Sequence, residues 1–427
     1  MSNSDATCIM FRLLAVSMLG SGTPCSKAIN LIASSHPPLK IPRELADNIT
    51  DFLWNDKKAL LATSIISRIF HASSRYHLFS QLVVDGSHLE HDISNFALFL
   101  RRRPEICPYV HSLSLKLMYR GRCYPKSGGW RVTDLSIIAE ILELIPFLHH
   151  LTLRGLEITP WHRESPQCLH PFFKLVTLKI INVTFQSNIA LDESLGLFTE
   201  VEHLEIEGSS LRNPPMDPST SSCLEQRIKT QGLHVSDVDL RLTSTNSQSL
   251  RTLRLKHLGV SGIDALGTLL RDAGGKLVRL SLPVKAIADA LRIAPLAPTP
   301  HLNTLHLDSC PSLTEIVLCM EFAHGVVDHT PIWETTLGIL FKLTTNLRRL
   351  IMVFSVKSDL KHDVTGILQS FNWTRFQQTV SRFNDLEHIE VQCDSKEKAG
   401  CIENFFIAYG FLPQFRDLVR VRHVEVV

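Results

Sequence analysis

The chain has 427 residues, 44% of them hydrophobic and 20% charged, a globular composition long enough for two or three ordinary domains or one solenoid. Its formal net charge of +2 gives no electrostatic reason to expect nucleic acid or an anionic membrane as partner. Ten cysteines without a C-x-x-C pair suit a reduced, intracellular protein better than a disulfide framework or a zinc module.

Residues 1–40 are expected to form a poorly ordered extension. Cys8 to Leu19 is apolar, but Arg12 interrupts it and Asp5 stands where a signal peptide needs positive charge. Ser21 to Pro38, rich in Ser, Pro and Gly, reads as a linker. No later run reaches the ~20 apolar residues that span a bilayer, which predicts a soluble protein of the cytoplasm or nucleus.

From Ile41 the pattern becomes specific. Pro42 suits a first helical turn, and Leu45, Ile49 and Leu53 follow at four-residue spacing, one face of a helix. Asp56 is a good cap for a second helix, in which Ala59, Ala62, Ile66, Ile69 and Phe70 form one apolar stripe while Leu61 and Ile65 form another. Ser73 or Ser74 is expected to cap a third, short helix through Tyr76 and Phe79, leading into extended Leu82-Val83-Val84. A module of about 45 residues has too little core to bury two faces on itself, so the surplus predicts a partner.

The order of the residues in 41–84 adds a family. Ile41-Pro42 with Glu44-Leu45, the Ile49 to Leu53 spacing, and the run Leu60, Ser64, Ile65, Ile66, Ser67, Arg68 resemble the F-box motif, with Ile41 for the usual opening Leu and Phe70 for the usual closing Trp. The ending Arg75, Tyr76, His77, Leu78, Phe79 is most similar to the expanded F-box families of basidiomycete fungi. What the resemblance implies is docking onto a Skp-type adaptor and, through it, a cullin–RING ubiquitin ligase. The adaptor-binding residues would be Ile41, Pro42, Leu45, Ile49, Leu53, Leu60, Leu61, Ile65, Ile66 and Phe70.

A linking helical segment is expected over 85–109, through Ile93, Phe96, Phe99 and Leu100 to Arg101-Arg102-Arg103-Pro104. Cations in a last turn offset the macrodipole and the proline stops the helix, so the arginines read as structural.

Over 110–427 the chain repeats itself. A hydrophobic-x-x-hydrophobic-x-hydrophobic core begins at Val110, Leu148, Leu175, Val201, Leu250, Leu277, Leu302, Leu347, Leu386 and Val421. Several successive starts lie 25 to 27 residues apart, the spacing of leucine-rich repeats, and Leu302, Leu305, Leu307, Cys310 and Leu313 resemble the cysteine-containing form. The intervals 201 to 250 and 302 to 347, near twice the period, each have room for a degenerate repeat, the first around Leu233 to Leu240. Asn213-Pro214-Pro215 through Ser222 reads alternatively as a long loop. The expected fold class is therefore α/β: a three-helix F-box module followed by an irregular leucine-rich-repeat solenoid, a horseshoe with a parallel sheet on its concave side and helices outside.

Strand alternation then places target-binding candidates on the concave face: Lys116, Arg154, Lys179, His203, Glu205, Arg254, Lys256, Arg279, His306, Asp308, His388 and Glu390. Mixed charge, hydroxyl and imidazole groups suit protein recognition, where polar groups set specificity. The sequence holds no Walker, dinucleotide, H-E-x-x-H or G-x-S-x-G signature, so no catalytic residue and no cofactor is expected. Neither His88 with His91 nor His149 with His150 has the setting of a metal site, the second pair pointing to opposite faces of a strand. The reading is a ligase substrate receptor; the alternative is a repeat scaffold or sensor without a ligase role, its helical module serving as an end cap.

Overall fold

The computed structural model describes residues 41–86, 93–117, 132–160, 173–212, 228–236, 245–246, 249–258, 262–293, 301–322, 328–356, 361–408 and 418–424. The extension over 1–40, His88 with His91, and the Pro214-Pro215 loop lie outside the described residues. In chain order the elements are α1 (Arg43–Phe52), α2 (Lys57–Ile66), α3 (Arg68–Phe79), β1 (Gln81–Asp85), α4 (Ile93–Arg102), β2 (Ser112–Lys116), β3 (Val132–Asp134), α5 (Leu135–Leu144), β4 (His150–Arg154), β5 (Glu157–Thr159), β6 (Phe173–Ile181), β7 (Thr184–Phe185), α6 (Asn188–Gly196), β8 (Phe198–Glu207) and β9 (Ser210–Leu211). There follow β10 (Ile228–Ser236), β11 (Thr245–Asn246), β12 (Thr252–Leu255), α7 (Gly262–Ala273), β13 (Arg279–Pro283), α8 (Val284–Ile293), β14 (Glu315–Phe322), α9 (Thr330–Lys342), β15 (Arg349–Val356), α10 (Lys361–Gln369), α11 (Trp373–Val380), β16 (His388–Cys393), α12 (Lys396–Ala408) and β17 (Val419–His423). Contacts divide this α/β chain into two units: the described residues to 117 with Ser136–Thr152, and 132–135 with Leu153 onward.

In the first unit α1 buries Ala46 and Thr50, one turn apart. The Asp56 carboxylate accepts from the Lys58 and Ala59 amides at 3.1 and 3.0 Å and starts α2. The second helix does not run on to Phe70 as its apolar stripe suggested. Ser67 is extended (φ −151°, ψ 140°) and its hydroxyl accepts from the Ile69 amide, so it caps α3 in place of Ser73 or Ser74. A short hydroxyl side chain offers the backbone a bond that competes with the helical ladder, and here that bond wins. Ser74 is instead buried inside α3, its Oγ 3.2 Å from Thr63 Oγ1 on α2.

Leucine and valine then alternate inward on β1: Leu82 and Val84 are buried opposite Leu113 and Leu115 of β2 in parallel register. The sheet thus begins at Gln81, ahead of the expected start at 110. The segment read as a linker is the connection between two paired strands, and it carries α4. Arg101 in the last turn of α4 meets Glu140 of α5 at 2.7 Å.

The second unit holds a large parallel sheet in the order β6-β8-β10-β12-β13-β14-β15-β16-β17. One aliphatic residue per strand faces the next, Leu178, Leu204, Leu233, Leu253, Leu280, Ile316, Leu350, Ile389 and Val419, and all but the last are buried. Helices cover that side, α8 packing on α9 and β14, α9 on α11, and α10 on α12. A second parallel sheet, β3-β5-β7-β9, runs beside the strand ends. Gly155, Asn182 and Gly208, at φ 65°, 51° and 58°, turn the chain from a main strand into β5, β7 and β9. Only Gly and, less often, Asn enter that region readily, which is why these residues stand at the corners.

Two strand assignments from the repeat pattern are corrected, at Leu302 and at the C-terminus, while the interval 201 to 250 holds a strand, β10, where a degenerate repeat is expected around Leu233 to Leu240. Leu302-Leu305-Leu307 forms three-ten turns, His301–Leu305 and Leu307–Ser309, and the strand follows at Glu315–Phe322 with Leu313, Ile316 and Leu318 in the same spacing. Residues three apart superpose on a three-ten helix, so the spacing fits either structure. In the 201 to 250 interval β10 supplies Thr230, Leu233 and Val235; Thr230 is buried, its hydroxyl bonded to the Gly232 carbonyl at 3.0 Å, a polar residue that hid the repeat. At the C-terminus Val419 and Val421, rather than Val421 and Val424, stand opposite Ile389 and Val391.

Helix α7 lies so close to the His301–Leu305 turn that a Cβ on Gly267 would fall on the Thr304 carbonyl oxygen. Gly267→Ala is expected to cost about 1–3 kcal/mol by forcing backbone from backbone. Gly366→Ala in α10, where nothing lies within 4 Å, should be neutral or stabilise by up to about 1 kcal/mol. Denaturant melts of the two variants test this.

Candidate functional site

Two surfaces carry the residues singled out from the sequence, one in each unit. In the first unit five large apolar side chains face outward over the span from α1 to α2: Leu45 (50% exposed), Ile49 (37%) and Phe52 (90%) on α1, Trp54 (56%) in the turn after it, and Ile65 (78%) on α2. Pro42 is exposed beside them; Ile41, Leu53, Leu61 and Phe70 are half-buried, and the Ile66 side chain lies outside the described residues. Leu60 is a correction. It is fully buried, on the face where Thr63, one turn on, meets Ser74 of α3, so it joins the helices and presents nothing outward. His77 Nε2 and Asp51 Oδ1, 2.7 Å apart, tie α3 to α1 and hold the α1 stripe in place. Sequence reasoning missed Phe52 and Trp54, although Phe52 stands seven residues after Leu45, two turns along the same stripe.

In the second unit the outward side chains of the main sheet form rows across the strands. Lys179, Glu205, His234, Arg254, Ser281, Val317, Ile351, Glu390 and Arg420 make one row; Thr177, His203, Thr252, Arg279, Glu315, Arg349 and His388 make the row before it. Lys179, His203, Glu205, Arg254, Arg279, His388 and Glu390 therefore lie on one face, as expected from alternation, with Lys256 exposed just after β12. Arg154 is exposed at the end of β4, and Lys116, in the first unit, is half-buried at the end of β2. His306 and Asp308 are not on the sheet: they belong to the three-ten turns, with His306 at φ 47°. Their places are taken by Glu315 and Val317, which the sequence reading missed together with His234, Arg349, Arg420 and Arg422.

Charges on this face are linked across strands. Lys179 Nζ meets Glu205 Oε2 at 2.6 Å, and His234 Nδ1 lies 3.5 Å from Glu205 Oε1. Burial and the Arg254 guanidinium hold the His234 imidazole below its ordinary value, so it is neutral at pH 7. Farther along, Arg279 Nε is 2.9 Å from Glu315 Oε1, Arg349 reaches Glu315 at 3.8 Å and Glu390 at 2.7 Å, and Arg422 Nε is 3.7 Å from Glu390. Burial pushes the Glu390 carboxyl up, but hydrogen bonds from Arg349 and Gln392 and the Arg422 and Arg349 charges outweigh it and hold the group below the usual 4.5.

A carboxylate with a depressed folded-state pKa contributes stability that is complete above the unfolded value and lost as pH falls through the folded one. Glu390→Gln is therefore expected to lose about 1–3 kcal/mol at pH 7 and to flatten the fall in stability below about pH 4.5. Urea melts of both proteins from pH 3 to pH 7 check this; parallel acid limbs would show that Glu390 is not the group that titrates.

The thiols of Cys107, Cys319 and Cys393 are pushed up by burial, and that of Cys310 to about 11 by burial and the Asp308 charge, so none is a thiolate at pH 7. Among the described residues no group of three His, Cys, Asp or Glu is placed to hold a metal ion, and no helix is long and apolar enough to cross a membrane. No protein-family model matches the chain, and no curated protein is significantly similar to it. The functional reading rests on the two surfaces and on the motif at 41–84.

Proposed function

We propose that this chain is a non-catalytic substrate-recognition subunit of a Skp–cullin–F-box ubiquitin ligase, in which residues 41–84 form an F-box that docks on the adaptor and a leucine-rich-repeat array holds a protein target. The observation that carries the reading is the exposure of Leu45, Ile49 and Phe52 on α1, Trp54 after it and Ile65 on α2. Each such side chain left in water forgoes roughly 1.5–3 kcal/mol of burial, and five on a three-helix module mark an interaction surface. A helical end cap for a scaffold or sensor, the second reading, would turn them inward. Recurring parallel strands, stacked aliphatic rows and corner residues at positive φ support the repeat reading of the array.

The chain's part in the mechanism is to raise effective concentration. With adaptor on one surface and target on the other, transfer of ubiquitin by other subunits becomes a reaction within one assembly. The test is size-exclusion chromatography of the full chain with a purified Skp-type adaptor. Co-elution at equal stoichiometry is expected; separate elution of a folded, monodisperse chain would overturn the docking assignment in favour of the scaffold.

A further inference from the structure

The outward face of β12–β17 is strongly cationic, although the whole chain carries only +2. Six cations, Arg254, Lys256, Arg279, Arg349, Arg420 and Arg422, stand against Glu315, Glu321 and Glu390. Two of the carboxylates are engaged within the face, Glu315 by Arg279 and Arg349, Glu390 by Arg349 and Arg422. Arg254, Lys256 and Arg420 are exposed and have no acidic partner among the described residues. The neighbouring strands β6, β8 and β10 show no such excess, since Lys179 is taken up by Glu205 and His234 is neutral.

The unpaired charge sits at two borders, Arg254 and Lys256 at one and Arg420 at the other, where Arg422 stands beside it and reaches Glu390 at 3.7 Å. Arg254 and Lys256 mark β12, Arg420 and Arg422 mark β17, and five strand spacings of about 4.8 Å separate them, about 24 Å or seven extended residues. Between the borders the charges are paired off, Arg279 and Arg349 with Glu315 and Glu390, and the floor beside them is low, with Ser281, Val317 and Ile351 buried and Cys319 and Val353 half-buried.

We propose that this face takes an extended protein segment of about seven residues, acidic at both ends and uncharged between, lying across strands β12 to β17. The proposal deepens the target-binding role proposed above by giving the chemistry of the target. A nucleic acid strand, charged at every residue, would set phosphates over Glu315 and Glu390 as well as over the arginines, so the pattern favours a peptide with acidic ends.

A randomised array of ten-residue peptides probed with the full chain tests this. Bound peptides are expected to carry Asp or Glu at both ends, and the best of them, labelled for fluorescence anisotropy, should bind less tightly as salt rises. Arg254→Glu with Lys256→Glu, and separately Arg420→Glu with Arg422→Glu, should each weaken it about tenfold or more while adaptor co-elution stays intact. The milder pairs Arg254→Gln with Lys256→Gln and Arg420→Gln with Arg422→Gln, expected to show the same direction, serve where reversal unfolds the chain. An array that binds nothing or only neutral and basic peptides, affinity unmoved by the substitutions, or tighter binding of a twelve-nucleotide single strand would each overturn the proposal. Acidic-peptide binding by a chain that does not co-elute with adaptor would leave this assignment standing and remove the ligase reading.

Discussion

Ile65→Asp is expected to leave the chain folded and to abolish adaptor binding, while Leu60→Ala, five residues earlier in the same helix, should unfold the helical module. Ile65 is 78% exposed, so its replacement should move stability by no more than about 0.5 kcal/mol. In a complex the same position loses roughly 1.5–3 kcal/mol of apolar burial and strands a carboxylate in the interface, for about 3 kcal/mol more. Together these weaken binding by about a thousandfold or more. Leu60 is fully buried, and truncating it to Ala removes a core contact worth about 2–5 kcal/mol. Circular dichroism melts paired with adaptor titration separate the two effects. An Ile65→Asp chain that melts normally and binds adaptor as tightly as its parent would mean the docking surface lies elsewhere.

Trp333→Ala should produce the largest loss of stability in the second unit, about 3–5 kcal/mol. Trp333 on α9 is 2% exposed, and its ring centroid lies 5.2 Å from Phe322, 5.9 Å from Phe354 and 4.3 Å from Phe371. Its Nε1–H donates to Ser370 Oγ at 3.0 Å. Phe371 continues to Trp373 at 4.5 Å, and Trp373 to Phe406 of α12 at 5.4 Å, so one aromatic chain joins two strands to three helix-forming segments. Trp333→Phe keeps most of the volume and loses the hydrogen bond, so it should cost only about 1–2 kcal/mol. A calorimetric transition that drops by about 10 °C for the alanine variant and far less for phenylalanine is the expected result; equal shifts would show that the hydrogen bond, rather than the packing, holds the helix down.

Much of this was legible in the spacing of residues. Leu45 and Ile49 announced a helix face, and the stripe through Ile65 announced more apolar surface than a small module can bury. The repeated aliphatic triplets announced parallel strands with helices between, and alternation put Arg254, Arg279 and Glu390 on one face. Each of these is a local pattern, readable because one residue and its neighbours within two turns or one strand settle it. Phe52 and Trp54 could have been read the same way. The Ser67 break could not, because a serine that caps a helix and one that sits inside it look alike until the backbone conformation is known.

What the sequence by itself determined is the period, the class of architecture and the two surfaces on which side chains are offered. What only the tertiary structure decided is which of two identically spaced triplets, Leu302-Leu305-Leu307 or Leu313-Ile316-Leu318, joins the sheet. That choice is made by partners far along the chain: the Val278 carbonyl accepts from the Glu315 amide and the Thr314 carbonyl from the Arg349 amide, at 3.0 and 2.9 Å. It also brought Glu315, Arg349, Glu390 and Arg422 from four strands into one ion-pair chain. A hydrophobic period is degenerate between a strand and a three-ten turn, and strand pairing between distant segments is what removes the degeneracy.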